Sequence, residues 1–217
     1  DILITIDNQH ANYFVNKEDI FKKITQNQKS QLVGLSFEKI NLKELEERVE
    51  QLSFVSEAQV YRDLKNNIQV EVTQNLPIAR LLLAGGEDKY IDEMGQILPF
   101  SDKYTARVPL VGGAFAGKIA KEGALKMQKG KQFFQLLKTI RDDEFWSVQL
   151  TQFDVDSKGE ITIYPQVGKQ FIEFGNAENI KEKLKKLKIF YKKILPQAGW
   201  NKYYRVNLKY HNQIVCE

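Results

Sequence analysis

The sequence predicts an α+β fold in two parts. A β-α-α-β-β module covers residues 1–81, and a mixed or antiparallel β-sheet domain with flanking helices covers residues 82–217. Three observations carry this reading. Apolar residues alternate with others at Ile2, Ile4 and Ile6, and again at Ile68, Val70 and Val72, the period of a half-buried strand. Between these runs lie two short helical stretches, each opened by an asparagine. Beyond them, a meander of strand-like runs with glycine turns leads into a lysine-rich helix.

Taken in order, Ile2 to Ile6 is a short strand. Asn16 before Lys17-Glu18-Asp19 caps a helix that runs to about Ile24, with its acids in the first turn. The polar stretch Thr25 to Ser30 is a loop. Asn41 with Glu44 is a capping-box-like start, and Leu42, Leu45, Val49 and Leu52 form one apolar stripe behind an acidic outer face. Val55 to Arg62 and Ile68 to Val72 are strands joined at Asn66-Asn67, and Pro77 ends the run or marks an edge.

In the second part, Tyr90-Ile91-Asp92 is a strand fragment and Glu93-Met94-Gly95 a turn. A helix is predicted over Ala124 to Asp142, weakened by Gly130 at about 1 kcal/mol relative to alanine. Strands follow over Ser147–Asp156, Glu160–Tyr164 and Gln170–Phe174. Ser157-Lys158-Gly159 and Gln166-Val167-Gly168 are the turns between them. Ile180, Leu184, Leu187, Tyr191 and Ile194 are the apolar stripe of the last helix, which Pro196 and Gly199 end. Tyr203 to Val215 reads as one closing strand, with Val206, Leu208 and Tyr210 on one face and Asn207, Lys209 and His211 on the other.

Composition excludes several classes. The chain has 217 residues, 42% apolar and 28% charged, which is ordinary globular composition. Its single cysteine, Cys216, rules out an internal disulfide framework and a multi-cysteine zinc site. Two histidines, His10 and His211, rule out a histidine cage, and His10 reads as a loop residue. The longest uncharged run, Val108 to Gly117, is half the length a membrane helix needs. Residues 1–82 carry 10 basic and 12 acidic side chains and the remainder 22 and 16, so the basic surplus lies in the second half. Its densest stretch, Glu178 to Lys193, holds seven lysines and reads first as a solvated helix face.

No motif for catalysis survives inspection. Gly112 to Lys118 fits G-x-x-x-x-G-K, but Ile119 stands where Ser or Thr should hold magnesium, so the run reads as a glycine-bearing loop. Asp154 to Gly159 begins like a calcium loop, but Lys158 and Pro165 occupy ligand positions, and a hairpin turn is the better reading. Cys216 and His211 lie on one terminal segment without an orienting third group. The lysine helix with Tyr191, Trp200, Tyr203 and Tyr204 nearby is too weak a basic-aromatic platform to predict nucleic-acid binding. No cofactor, metal or small-molecule substrate is expected.

Several short runs resemble one family. Val55-Ser56-Glu57-Ala58-Gln59-Val60-Tyr61-Arg62 looks like the V-x-x-A-x-V-x-R strand of a POTRA domain. Ile68 to Val72 followed by Leu76-Pro77-Ile78-Ala79 resembles the strand that leaves it. Tyr90 to Gly95, Val108 to Gly112 and Val206-Asn207-Leu208-Lys209-Tyr210 are similar to the D-x-x-G, P-x-L/V-x-G and V-D-L-R-Y elements of the following domain. In this order the runs resemble the bacterial cell-division family FtsQ/DivIB. Gln74-Asn75 replace the family's Glu-Arg, Asn207 and Lys209 replace its Asp and Arg, and the span Asp7 to Val15 is long for it.

The resemblance implies a non-catalytic scaffold that recruits FtsB and FtsL. It also implies a single-pass protein of the cell inner membrane with this chain on the periplasmic side. The chain opens on Asp1 rather than Met, as a processed or excised piece would, and the resemblance places a short tail and one membrane helix before it. It also implies partner binding on the terminal strand, with Tyr210 and Asn212 at the position of the family's binding tyrosine and its small polar neighbour. The expected contact set is Tyr203, Arg205, Asn207, Lys209, Tyr210, His211, Asn212 and Ile214. An exposed edge strand offers unpaired N–H and C=O groups for this, and tyrosine is a common interface anchor. Tyr210 reads equally as a core residue, since it shares a face with Leu208. The alternative reading is a POTRA-bearing module of an outer-membrane assembly or secretion protein, disfavoured because only one such module is visible.

Overall fold

The computed structural model describes residues 1–7, 12–26 and 39–217; His10 and positions 27–30 of the polar stretch fall outside them. The chain divides into two compact units. The first is Asp1–Leu76 with Ser101–Ala106, and the second is Pro77–Phe100 with Arg107–Glu217.

The first unit has the order β1 (Ile2–Asp7), α1 (Lys17–Thr25), α2 (Leu42–Glu50), β2 (Val55–Arg62), β3 (Ile68–Gln74). Its sheet runs β1-β3-β2, with β1 parallel and β2 antiparallel to β3. Both asparagine caps form. Asp19 N–H donates to the Asn16 side chain at 2.9 Å while Asn16 N–H donates to the Asp19 carboxylate at 3.1 Å, and Glu44 N–H donates to Asn41 at 3.3 Å. Ile20, Ile24, Leu45 and Val49 of the helices are buried, as are Ala58, Val60, Val70 and Val72 of the strands. The Ser101–Ala106 segment belongs here through Tyr104, edge-on to Phe14 at 4.9 Å, and through the ion pair of Lys103 with Asp19.

The second unit begins with β4 (Pro77–Leu81), which pairs with β5 (Lys89–Asp92) and β7 (Leu110–Gly112). The division therefore falls at Leu76/Pro77 rather than at the 81/82 boundary read from sequence, because β4 is a strand of the second sheet. The order continues β6 (Ile97–Pro99) after β5, then β7, α3 (Ala114–Glu122), α4 (Gln128–Arg141), α5 (Glu144–Gln149), β8 (Leu150–Val155), β9 (Ile161–Pro165) and β10 (Phe171–Gly175). It closes with α6 (Ile180–Ile189), a π-helical turn (Phe190–Ile194), α7 (Leu195–Ala198), β11 (Arg205–Asn207) and β12 (Val215–Cys216). The nine strands lie in the order β12-β11-β10-β9-β8-β7-β4-β5-β6. Three parallel pairs, β4/β7, β7/β8 and β10/β11, require crossovers, which β5–β6, α3–α5 and α6–α7 supply. One continuous core joins Leu81, Ile91, Val111, Phe153, Ile163, Ile172 and Val206 of the strands with Ile119, Leu136, Leu187 and Leu195 of the helices.

Four local readings change. Gly112–Lys118 is not a loop: Gly113 is the residue before α3, and Gly117 and Lys118 lie inside that helix. Gly113 sits at φ +88°, and a Cβ there would stand 2.3 Å from the Val155 carbonyl oxygen, so the glycine serves strand–helix packing. Ser147 to Gln149 is helix rather than strand, because Asp143 caps α5 by accepting from Phe145 and Trp146 N–H at 2.9 and 3.0 Å. The helix expected from Ala124 is broken at Met127, with a 3-10 turn before it and α4 after it. The closing strand Tyr203–Val215 is two strands with a turn between them, whose geometry sets the candidate site. The calcium-like run is a hairpin turn: the Asp156 carboxylate accepts Lys158 and Glu160 N–H at 2.8 and 2.9 Å, and these bonds, the Glu160 one foremost, hold its pKa below the usual value.

Candidate functional site at the edge of the large sheet

β11 and β12 end the large sheet on one side. β11 is parallel to β10, and β12 folds back antiparallel on β11 with Val206 opposite Cys216 and Asn207 opposite Val215. Glu217 continues the ladder: its N–H donates to the Arg205 carbonyl at 3.0 Å and its carbonyl accepts from Arg205 N–H at 3.2 Å. Antiparallel pairs alternate between those that exchange hydrogen bonds and those that do not. The Arg205/Glu217 pair exchanges them, so Val206/Cys216 does not and Asn207/Val215 does. The N–H and C=O of Cys216 therefore point away from β11, toward the open side of the edge.

Side-chain alternation follows the same register. Val206 is fully buried, and Ile214 and Cys216 pack against the core beside it, half-buried. Arg205, Asn207, Val215 and Glu217 occupy the opposite face. Burial pushes the Cys216 thiol pKa up.

On that opposite face one carboxylate organises the strand end. Glu173 on β10 accepts from Arg205 Nε at 3.0 Å and Nη2 at 3.0 Å, and from Asn207 Nδ2 at 2.6 Å; Lys209 Nζ lies 3.3 Å away. Arg205 also reaches Glu217 at 2.6 Å. The hydrogen bonds from Arg205 lead the interactions that hold the Glu173 pKa below its ordinary value of 4.5, and Lys209 adds to them. Glu173 thus stabilises the fold above about pH 4.5, and that contribution is lost as pH falls through its lowered native value. Glu173→Gln is expected to cost about 1–2 kcal/mol at neutral pH, the range of one charged hydrogen-bond set, and to flatten the acid limb of stability against pH. Urea midpoints measured from neutral pH to pH 3 check both; parallel acid limbs would refute the role.

The turn between β11 and β12 is fastened to α6. Lys186 Nζ donates to the Leu208 and Tyr210 carbonyls at 3.1 and 2.6 Å. Glu182, four residues back, stands 3.6 Å from Lys186 and 3.5 Å from His211 Nδ1. Lys209 N–H donates to the Asn207 side chain at 2.9 Å, and Asn212 adopts φ +54°.

The expected contact residues therefore separate. Arg205, Asn207 and Lys209 converge on Glu173, an internal partner. Tyr210 is 54% exposed and so is not core; it lies in the turn with exposed His211 and Asn212 rather than on a strand. Tyr203 precedes β11 and packs against Phe190 at 6.1 Å. Ile214 alone leads into the edge strand. Glu173, Glu182 and Lys186 went unread because they lie on β10 and α6, and only the parallel β10/β11 pairing brings them here. Val215, Cys216 and Glu217 went unread because the turn at 208–214 is not marked by glycine or proline.

Comparison with known families settles the wider assignment. A family model described as FtsQ/DivIB, C-terminal related, matches residues 76–217, and one for a POTRA-like domain matches residues 1–73. The chain belongs to the FtsQ/DivIB family. This is a family of membrane-anchored cell-division scaffold proteins, and the mixed α+β fold with a POTRA-like first unit agrees with it. No curated protein matches the chain. Among the described residues no helix is long and apolar enough to cross a membrane.

Proposed function

We propose that this chain is the extracytoplasmic, non-catalytic part of a cell-division scaffold, and that it recruits FtsB and FtsL by accepting a strand on the outer edge of β12. The single observation that carries the reading is the outward direction of the Cys216 backbone groups at the end of a nine-stranded sheet. An added strand gains backbone hydrogen bonds there, and its side chains alternate between two environments. One set continues the apolar face formed by Ile214 and Cys216. The other lies beside Val215 and Glu217. The exposed Tyr210 and Tyr204, 54% and 60% exposed, stand near this edge as candidate anchors.

The test is a titration of the chain with the extracytoplasmic segment of FtsB, with and without that of FtsL, using wild type and Cys216→Pro. Saturable binding that the proline removes supports the edge. Binding that the proline leaves intact moves the contact elsewhere, and β1, one of the two edge strands of the first unit's sheet, is the next strand to vary. A proline at Asn212 is no substitute, since proline is confined to φ near −65° and Asn212 requires φ +54°.

A further inference from the structure

The lysine-rich helix divides its charges by depth. Lys183 and Lys186 turn inward. Lys183 is 7% exposed, donates to the Asn176 carbonyl at 2.7 Å and lies 5.0 Å from the Phe174 ring, and burial lowers its pKa. Lys186 is held by the β11–β12 turn. Lys181, Lys185, Lys192 and Lys193 are exposed and have no ion pair among the described residues, while Lys188 stands 3.8 Å from Asp143 and is 41% exposed.

These five share one face. Lys181, Lys185, Lys188 and Lys192 recur at steps of four, three and four, which is a single helical stripe. On a regular helix Lys193 would fall about a quarter-turn off that stripe. The π-helical turn changes this: Leu195 N–H donates to the Phe190 carbonyl five residues back, so the turn holds an extra residue and rotates Lys193 toward the others. Ile189, 41% exposed, lies beside Lys185 and Lys193. The only acid on α6, the π turn or α7 is Glu182, and Lys186 and His211 occupy it.

We propose that this face adsorbs to an anionic lipid bilayer, its lysines lying among headgroup phosphates. Three properties favour a lipid surface over one acidic peptide. All five cations are lysines, point charges without the fork that arginine uses to grip a single carboxylate. They extend for about 18 Å along a convex helix, which matches a field of headgroups rather than a pocket. A cluster of four to eight lysines on one helix face is the composition that anionic headgroups attract. This surface is separate from the β12 edge in the residues it uses, and the two proposals stand independently.

The experiment is co-sedimentation of the whole chain with vesicles of equal parts phosphatidylcholine and phosphatidylglycerol, and with vesicles of phosphatidylcholine alone. The expected result is binding to the first only, weakening as salt is raised. In the variant carrying Lys181→Gln, Lys185→Gln, Lys192→Gln and Lys193→Gln, binding falls by about fivefold per lysine removed. An unchanged thermal midpoint for the variant confirms an intact fold, and Cys216→Pro binds vesicles as wild type does. Competition by inorganic phosphate at the concentration of the lipid phosphate is expected to fail, because single ions lack the array. Absence of binding to the anionic vesicles, or equal binding by the variant, overturns the proposal. So does binding to soluble polyglutamate without binding to vesicles, which would assign the face to an acidic protein.

Discussion

Cys216→Pro is expected to weaken partner binding by about 100-fold while the chain stays folded, and Val215→Pro is expected to open the terminal hairpin itself. The two substitutions are adjacent, and the alternation of the antiparallel ladder separates them. Cys216 belongs to the pair that exchanges no hydrogen bonds with β11, so its N–H faces outward and proline there removes nothing internal. A strand arriving at the edge would then lose one backbone bond and bury an unmatched carbonyl, together about 2–3 kcal/mol. Val215 belongs to the exchanging pair, and proline there deletes a bond to Asn207. Cys216→Ala is the control: it keeps the N–H and is expected to bind within about threefold of wild type, since only a half-buried thiol is lost. Titration calorimetry gives the affinities and amide exchange at Arg205 and Glu217 gives the state of the hairpin. Equal binding by Cys216→Pro and wild type would end the edge hypothesis.

Gly130→Ala carries the largest expected loss of stability, about 3 kcal/mol or more. Helix propensity alone gives the opposite sign, since alanine is favoured over glycine inside a helix by about 1 kcal/mol. The backbone decides the matter. Gly130 is buried in the first turn of α4, and a Cβ built there stands 2.0 Å from the Ala124 carbonyl oxygen and 2.6 Å from Leu125 Cα. Both neighbours are main chain of the preceding 3-10 turn, where the same Ala124 oxygen accepts Met127 N–H at 3.0 Å. Neither can swing aside as a side-chain end would, so the turn must move and repack. Urea unfolding of the two proteins measures the difference through the midpoint at constant slope. A neutral or stabilising alanine would mean that the close approach is not a feature of the fold.

The same position shows what was legible in the sequence. Gly130 reads as a flaw in a helix until the 3-10 turn that lies against it is known. Legibility tracked the range of the interactions. β1, α1, α2, β2 and β3 are written in local signals: asparagine caps, period-two alternation and an Asp63–Asn67 turn. The β8–β9 hairpin is local too, closed by Asp156. α5 was missed because its start is signalled only by Asp143, and its Trp146, Ser147 and Val148 look as much like strand as helix. The terminal hairpin was missed for a different reason. Val206, Leu208 and Tyr210 alternate well enough to continue a strand, yet Lys186 and Glu173, 24 and 34 residues away from Tyr210 and Asn207, hold the chain in a turn instead. The charge of the last helix was legible as a total, but its division into inward and outward lysines required the strands it packs on.

The nine-stranded sheet also has two unequal ends. Adding strands to an edge is a growth reaction, and a sheet open at both ends could join copy to copy into a filament. Here β6 closes the far end with three residues, the last of them Pro99, paired with Lys89. A proline in an edge strand turns its nitrogen outward and offers no N–H to a newcomer. In the language of polymer chemistry the sheet carries two unlike end groups: β12, where Cys216 turns its N–H outward, and the three-residue β6, where Pro99 has none to offer. If a partner's strand extends the sheet at β12 as proposed, Pro99 leaves the β6 end one N–H poorer for continuing the growth.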